Sequence, residues 1–236
     1  MSISADELQE SFRYIYYTTD FSKNEAKKSD ICKEFVYTEN GWLEREKTYR
    51  KGVNMKRIAV FFAEGYEEIE ALTVVDLCRR AGIDTQMVSV TGKKVVTGSH
   101  GIGVEMDVLF EEVDVTLLDM IVLPGGMPGT LNLEAHEGLM NCVDAFFAEG
   151  KGVAAICAAP SILGHRGILK GRKACSYPGF EKDLEGALVV YDNVAVSEQV
   201  ITSRGMGCAI DFSLAIIELL CDKTTADSMA QAIIYR

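Results

Sequence analysis

From Met55 onward, short runs of apolar residues alternate with segments of helical periodicity, and this alternation limits the folds that the chain can adopt. The runs RIAVFFA, DMIVLPGG and GVAAI are apolar almost throughout, which is typical of strands buried on both faces of a parallel sheet. Apolar residues spaced three or four positions apart between these runs indicate helices. The pattern therefore predicts a doubly wound, mostly parallel α/β sheet covered on both faces, a three-layer sandwich.

The first predicted helix, over 67–81, has a clear beginning and end. Acidic residues lie in its first turn, Arg79 and Arg80 lie in its last turn, and Gly82 can stop it. Further helices are predicted over 139–147, 158–163 and 209–220, a second strand over DTQMVSV, and a hairpin around GSHG within 94–106.

The first 54 residues lack this rhythm and form an N-terminal extension to the α/β domain of 55–236. They are polar and rich in Lys and Glu, and Asn40-Gly41 lies between two β-prone runs, which predicts a hairpin within 34–48. A helix from about Ala5 to Tyr14 is also expected, either as an arm against a partner subunit or as a frayed leader. MKRIAVFFAEG, starting at Met55, would be a natural beginning for the α/β domain.

Charge and hydropathy exclude several classes of partner. The formal net charge is −11 and the pI is about 4.8, which disfavours a nucleic-acid surface because phosphate binding needs clustered Lys and Arg. The apolar runs are far shorter than the roughly 20 residues that cross a bilayer. The N-terminus lacks the basic and apolar regions of an export signal, so a cytoplasmic protein that binds neither nucleic acid nor membrane is expected.

Seven cysteines form an odd set without C-x-x-C spacing, unlike a disulfide framework or a zinc site. Most are expected to be small buried residues. Cys157 is the exception, because AAICAAP turns a buried strand directly into a helix with only small residues at the bend. A helix N-terminus there would favour the thiolate, so Cys157 is the candidate nucleophile; the alternative is an ordinary core cysteine.

Two further features follow other strands of the predicted sheet and should share one crevice with Cys157, because ligands bind outside the carboxyl ends of parallel strands. A backbone N–H at Gly125-Gly126, together with the N–H that follows Cys157, could stabilise an oxyanion, although the glycine pair could also be a plain turn. Glu70, if buried and neutral, could donate a hydrogen bond to the thiolate or move a proton. Glu67 and Glu68 are expected to be solvated.

Four segments of this chain resemble the ThiJ/PfpI (DJ-one) superfamily. The resemblance covers residues 55–236. The four segments are AEGYEEIEALTVVDLCRRAGI, VLPGGMPG, AAICAAPSIL and ITSRGMGCAIDFSLAIIELL. The resemblance implies a flavodoxin-like fold, a homodimer, a nucleophilic and oxidation-sensitive Cys157, its partner Glu70, and oxyanion-type backbone donors at Gly126 and Ala158. It implies no metal and no cofactor.

The chain departs from the similar branch at one position of the site. In that branch, a histidine commonly precedes the proline that follows the strand after the cysteine segment. This chain has Tyr177 before Pro178 instead. Tyrosine is a poor base, with a reference pKa of about 10. His100 aligns roughly with an arginine of the branch and is either a pocket residue or a surface-loop histidine; Arg204 is a further pocket candidate.

Three functions from different classes remain open. The leading hypothesis is a glyoxalase III or deglycase-like enzyme that acts on methylglyoxal-type aldehydes through Cys157 and Glu70. The alternative is an oxidation-sensing stress protein or chaperone that uses the same cysteine. A cysteine peptidase would need a histidine base, and dinucleotide binding is rejected because AEGYEE, not G-x-G-x-x-G, follows the first strand.

Overall fold

The computed structural model describes residues 55–235 in full, together with the strand backbones at 17–18, 31–38 and 41–48. The chain divides into two compact units, Met1–Asn54 and Met55–Arg236. The helix expected at about Ala5 to Tyr14 lies outside the described residues.

The first unit contains a small antiparallel sheet within the part of it that is described. Its strands pair in the order β1-β2-β3, and β2 and β3 form a hairpin in which Thr38 lies opposite Gly41. The three strands are β1 (Tyr17–Thr18), β2 (Ile31–Thr38) and β3 (Gly41–Thr48).

The second unit carries the α/β pattern of the sequence. Its strands are β4 (Arg57–Phe62), β5 (Asp84–Ser89), β6 (Val95–Thr97), β7 (Gly103–Glu105), β8 (Val108–Leu109), β9 (Met120–Leu123), β10 (Gly152–Ile156), β11 (Lys173–Ala174), β12 (Leu188–Val189), β13 (Val194–Ser197) and β14 (Val200–Ser203). Its helices are α1 (Glu68–Arg80), α2 (Gly129–Glu134), α3 (Glu137–Ala148), α4 (Pro160–His165), α5 (Ala209–Leu220) and α6 (Lys223–Ala232). Single 3₁₀ turns occupy Phe110–Glu112, Val115–Leu117, Glu181–Asp183 and Met206–Cys208.

A seven-stranded sheet forms the middle layer, with the strand order β13-β14-β10-β9-β4-β5-β8. All neighbours in it are parallel except β13, which pairs antiparallel with β14. Met120 of β9 lies opposite Ile58 of β4 on one side and Gly152 of β10 on the other. The predicted doubly wound, mostly parallel sheet is confirmed, and β6 and β7 form the predicted antiparallel hairpin.

The two faces of the sheet bury separate apolar clusters, because successive side chains of a strand point to opposite sides. On β4, Val60 and Phe62 pack in the cluster that contains Phe212 of α5. Ala59 and Phe61 pack in the other cluster, which contains Leu139 of α3. Helices therefore cover both faces and complete the three-layer sandwich.

The helices differ from the prediction mainly in their beginnings. Helix α4 begins at Pro160, whereas the sequence predicted a start at Ala158. Proline suits the first helical position because its φ is fixed and it has no N–H to leave unpaired. Helix α6 was not predicted; only the small stripe formed by Ala226, Met229 and Ala230 is buried, which makes its periodicity weak. None of the helices in the described part of the chain is long and apolar enough to cross a membrane.

Phe212→Ala should lower the free energy of unfolding by about 3–5 kcal/mol, because the ring is fully buried and its removal leaves a cavity. Leu219→Ala on the same helix is the matched control, since Leu219 is 41% exposed and should cost about 0.5 kcal/mol or less. Urea denaturation of both variants measures the difference. Equal effects would show that α5 is not packed through Phe212.

Candidate active site

The three sequence features predicted to share a crevice meet at one edge of the sheet. They follow β4, β9 and β10, which are adjacent and parallel, so their carboxyl ends lie side by side. Gly125 marks the meeting point: a β-carbon placed on it would lie 2.5 Å from Cβ of Cys157 and 2.7 Å from Oε2 of Glu70. We call Cys157 and Glu70 the reactive pair.

Cys157 occupies the sharp turn between β10 and α4. Its φ is +66°, a left-handed conformation that costs a non-glycine residue on the order of 1–3 kcal/mol and persists only where the surroundings fix it. Its N–H donates to the carbonyl of Ser203 at 2.9 Å, and its carbonyl accepts from the N–H of Tyr177 at 2.8 Å. Both sides of the turn are thus held, and the side chain is left half-buried at the sheet edge.

Glu70 lies in the first turn of α1 and is almost completely buried, with 1% exposure. Oε2 accepts a hydrogen bond from the N–H of Gly125 at 3.0 Å, whereas Oε1 has no partner among the described residues. Burial raises the carboxyl pKa to about 7, against the lowering effect of hydrogen bonds from Cys157 and Gly125. Glu70 is therefore a buried carboxyl that can hold a proton at neutral pH.

The thiol of Cys157 differs from the prediction of a readily ionised nucleophile. Burial, followed by the charge and the hydrogen bond of Glu70, raises its pKa to about 12, while the backbone N–H groups of Gly126 and Ala158 lower it. The expected helix N-terminus is also displaced, since α4 begins only at Pro160. Because the effects of Glu70 require its carboxylate, they apply above about pH 7, where the carboxyl has lost its proton and the thiol of Cys157 keeps its own.

Two backbone N–H groups face the sulfur of Cys157, at Gly126 and Ala158. Gly126 has φ +93°, and a β-carbon there would lie 2.4 Å from the N of Glu67 and 2.6 Å from the carbonyl of Gly65. Only glycine fits this close approach. The two donors can stabilise negative charge on the sulfur or on an oxygen bound next to it.

None of the three histidines is seen to contact Cys157 in the described part of the chain. His100 has its Nδ1 2.9 Å from Oε2 of Glu68, and its backbone N–H donates to Oε1 of Glu68 at 2.8 Å. Nδ1 of His136 accepts from the N–H of Leu139 in the first turn of α3, and His165 pairs with Glu134. The structure therefore offers Cys157 no histidine base.

Glu68 was expected to be solvated, and this prediction is wrong. It is buried, with 4% exposure, because it lies under the β6–β7 turn that carries His100. Burial alone would raise its pKa, but hydrogen bonds with His100 and with the backbone outweigh burial and lower it to about 2. Glu67, Glu68 and His100 have potential ligand atoms within 4.8 Å of one another, yet Glu68 and His100 already satisfy each other.

The remaining pocket candidates lie in different places. Tyr177 is 51% exposed, and its ring Cδ2 is 3.2 Å from a β-carbon placed on Gly205, a point that is also 3.9 Å from Oε1 of Glu70. Pro178 is exposed. The guanidinium of Arg204 is directed to the carbonyl and ring of Tyr191. Gly205, two residues after the end of β14, was missed as a site residue, because no local pattern shows that this loop turns toward Glu70.

Comparisons with known proteins find similar sequences and similar folds. A sequence model of the DJ-1/PfpI family matches residues 56–219. The chain is 36% identical to Protein DJ-1 homolog A of Arabidopsis thaliana over 184 residues, which cover 77% of this chain and 47% of that one. It thus spans about half the length of that relative. A Pyrococcus abyssi protein named as a deglycase is 34% identical over 167 residues, 70% of this chain and 99% of that one.

Solved structures are similar as well. The structure described as "Toxoplasma gondii DJ-1, oxidized" has a TM-score of 0.74 and 36% identity, and the match covers 76% of this chain and 98% of that one. Drosophila melanogaster DJ-1beta has a TM-score of 0.74 and 31% identity, over 77% and 99%.

Glu70→Gln should change how stability depends on pH. The folded carboxyl has a pKa raised from 4.5 to about 7, so the folded chain binds more protons than the unfolded chain in this window and stability falls as pH rises through it. The variant lacks this loss. Relative to wild type, its free energy of unfolding should therefore gain about 3 kcal/mol between about pH 4.5 and about pH 8.

Urea denaturation at the two pH values measures this shift, and Glu112→Gln is the control. The pKa of Glu112 is lowered by hydrogen bonds from the backbone of Leu109 and from Lys94, so Glu112 is ionised in both states above about pH 5. Its effect on stability should stay constant from about pH 5 to about pH 8, and any change below pH 5 should have the opposite sign to that of Glu70→Gln. The same constancy for Glu70→Gln would mean that Glu70 is ionised throughout.

Proposed function

The chain belongs to the DJ-1/PfpI family, and we propose that it is a cofactor-independent enzyme that converts α-oxoaldehydes such as methylglyoxal to 2-hydroxy acids. The observation that carries the proposal is the close packing of the reactive pair across Gly125. A sulfur nucleophile, a carboxyl with a pKa near 7 and two N–H donors then surround one point. The name of the Pyrococcus abyssi relative, a deglycase, supports carbonyl chemistry.

The first step is addition of the Cys157 sulfur to the aldehyde carbon. A sulfur–carbon bond forms, and the π electrons of the carbonyl move to its oxygen, where the N–H groups of Gly126 and Ala158 can stabilise the charge. The S–H bond of Cys157 breaks, and its proton moves through the Glu70 carboxylate to this oxygen. The product is a hemithioacetal, and Glu70 is left as a carboxylate.

The second step is an internal transfer of hydrogen between the two carbons. Glu70 takes the proton from the former aldehyde carbon and returns it to the ketone carbon, while the hydroxyl proton of the first carbon moves to the oxygen of the second. The first carbon is thereby oxidised to a thioester and the second is reduced to an alcohol. Water then cleaves the thioester, which releases the hydroxy acid and restores the thiol. The overall reaction adds one water and needs no external oxidant.

A peptidase is disfavoured by the same geometry. Cysteine peptidases need a histidine that takes the thiol proton and then protonates the leaving amine. The position before Pro178 holds Tyr177, and the three histidines have the other partners described above. Aldehyde addition needs no protonated amine leaving group, so it is the reaction that suits this site.

Purified protein should convert methylglyoxal to lactate without glutathione, and Cys157→Ala should reduce the rate to the uncatalysed background. Glu70→Gln should lower kcat/KM by about a hundredfold or more, the usual effect of losing a positioned proton carrier. Enzymatic assay of lactate measures all three proteins.

Cys221→Ala is the matched control, because Cys221 is an exposed cysteine at the end of α5, and it should keep wild-type activity. Full activity in Cys157→Ala would show that this mechanism is wrong. Loss of activity in the control would show that cysteine replacement disturbs the fold and not the chemistry.

Oxidation sensing is the second candidate, and it is favoured by the same donors. Attack of the sulfur on hydrogen peroxide forms a sulfur–oxygen bond and breaks the oxygen–oxygen bond, and a second peroxide gives a sulfinate. The N–H groups of Gly126 and Ala158 and a protonated Glu70 could then bind its oxygens. The similar Toxoplasma gondii structure is described as oxidised.

Mild peroxide treatment followed by peptide mass spectrometry tests this candidate. Cys157 should gain two oxygen atoms before Cys221, although Cys221 is the more exposed residue. Selective oxidation with negligible aldehyde turnover would favour sensing over catalysis. Preferential oxidation of Cys221 would show that the site does not promote oxidation of Cys157.

A further inference from the structure

Two adjacent side chains at the end of β14 are polar, although they are completely buried. Thr202 and Ser203 are each 0% exposed, whereas β10 and β9, the next two strands of the sheet, carry no polar side chain. A buried hydroxyl costs free energy unless it forms a hydrogen bond. The partners of these two hydroxyls therefore indicate why polar residues occur here.

The Ser203 hydroxyl positions the carbonyl that binds the N–H of Cys157. Ser203 lies between two strands, opposite Ile156 of β10 on one side and Val194 of β13 on the other. Its Oγ donates to the carbonyl of Asn193 at 2.7 Å, and its own carbonyl accepts from the N–H of Cys157 at 2.9 Å. The hydroxyl thus fixes the strand end that carries this carbonyl against the neighbouring segment.

The Thr202 hydroxyl positions the segment that binds the other side of the same turn. Consecutive side chains of a strand point to opposite faces, so Thr202 contacts a different segment from Ser203. Its Oγ1 accepts from the N–H of Cys175 at 3.0 Å. Two residues later, the N–H of Tyr177 donates to the carbonyl of Cys157 at 2.8 Å. Both backbone groups of Cys157 are therefore bound by segments that a hydroxyl of β14 holds in place.

These contacts matter because Cys157 has a left-handed conformation, with φ of +66°. In a residue other than glycine, this conformation persists only where the surrounding structure fixes it. Relaxation of the turn would move the Cys157 sulfur away from Glu70 and from the N–H groups that face it. We propose that Thr202 and Ser203 are positioning residues that keep Cys157 in this turn and its sulfur against Glu70; the inference rests on the function proposed above.

Removal of each hydroxyl with little change in side-chain size tests this role. Thr202→Val and Ser203→Ala should each lower kcat for methylglyoxal by about tenfold to a hundredfold, with a smaller change in KM, because misplacement by about 1 Å can cost a hundredfold in rate. Thr202→Ser keeps a hydroxyl but loses the methyl group, and it should retain most of the activity. Wild-type kcat in Thr202→Val or in Ser203→Ala, or equal losses in Thr202→Ser and Thr202→Val, would overturn the inference.

Thr85→Val and Ser213→Ala are the matched controls. The buried Thr85 hydroxyl donates to the carbonyl of Ile83 at 3.0 Å, and the buried Ser213 hydroxyl donates to the carbonyl of Ala209 at 2.7 Å. Neither bond positions a segment that is seen to bind Cys157 among the described residues, so both variants should keep the wild-type kcat. A loss in the controls as large as in Thr202→Val and Ser203→Ala would overturn the inference, because general destabilisation would then explain it.

Alkylation of Cys157 by iodoacetamide separates the inference from the proposed function. If wild type converts no aldehyde, the proposed function has failed, but alkylation still reports on the turn. Burial is the largest cause of the raised pKa of the Cys157 thiol, and only the thiolate reacts. A relaxed turn should therefore make alkylation of Cys157 several-fold faster in Thr202→Val and in Ser203→Ala.

Cys78 measures unfolding in the same sample, because it is completely buried in α1. Its rate of alkylation should not change in these variants, and peptide mass spectrometry measures both cysteines. An unchanged rate at Cys157, or an equal acceleration at Cys78, would overturn the inference whatever happens to the aldehyde.

Discussion

The absence of a side chain at Gly125 is the constraint on which the site depends. A β-carbon there would overlap both Cys157 and Glu70, so any other residue would force the reactive pair apart. The same glycine donates its N–H to Glu70 and thus positions the carboxyl that its small size admits. Gly126 repeats this arrangement against the backbone of Glu67. The chemistry is consequently set by backbone that approaches closely, with the side chains placed around it.

Much of this could be predicted because the rule for parallel sheets is geometric. Three continuous apolar strands had to end at the same edge if they were neighbours, and the strand order places β10, β9 and β4 side by side. The residues after those strands, at Cys157, Gly125 and Glu70, therefore had to meet. The hairpin around His100 could also be predicted, because the glycines of GSHG lie between two runs of alternating apolar residues. Strands β6 and β7 confirm it.

Other features could not be predicted, because they depend on contacts between residues that are far apart in the sequence. Burial of Glu68 results from the turn at His100, which lies 32 positions away, and the direction of Arg204 results from Tyr191. The raised pKa of Cys157 depends first on burial, whereas the sequence shows only that a helix follows. Gly205 reaches Glu70 because β14 pairs with β10, and no local pattern could indicate that the loop turns inward.

The reactive pair is held in conditions that the rest of the molecule must compensate. Cys157 has a positive φ, and Oε1 of Glu70 is buried without a hydrogen-bond partner within residues 55–235; each condition costs free energy in the folded state. The surrounding strands are fully buried and register-paired, so the turn cannot relax without breaking the sheet. A polar ligand that donates a hydrogen bond to Oε1 would remove the free-energy cost of this unpaired oxygen. The features that destabilise the folded site are therefore the ones that hydrogen bonding to a polar ligand would relieve.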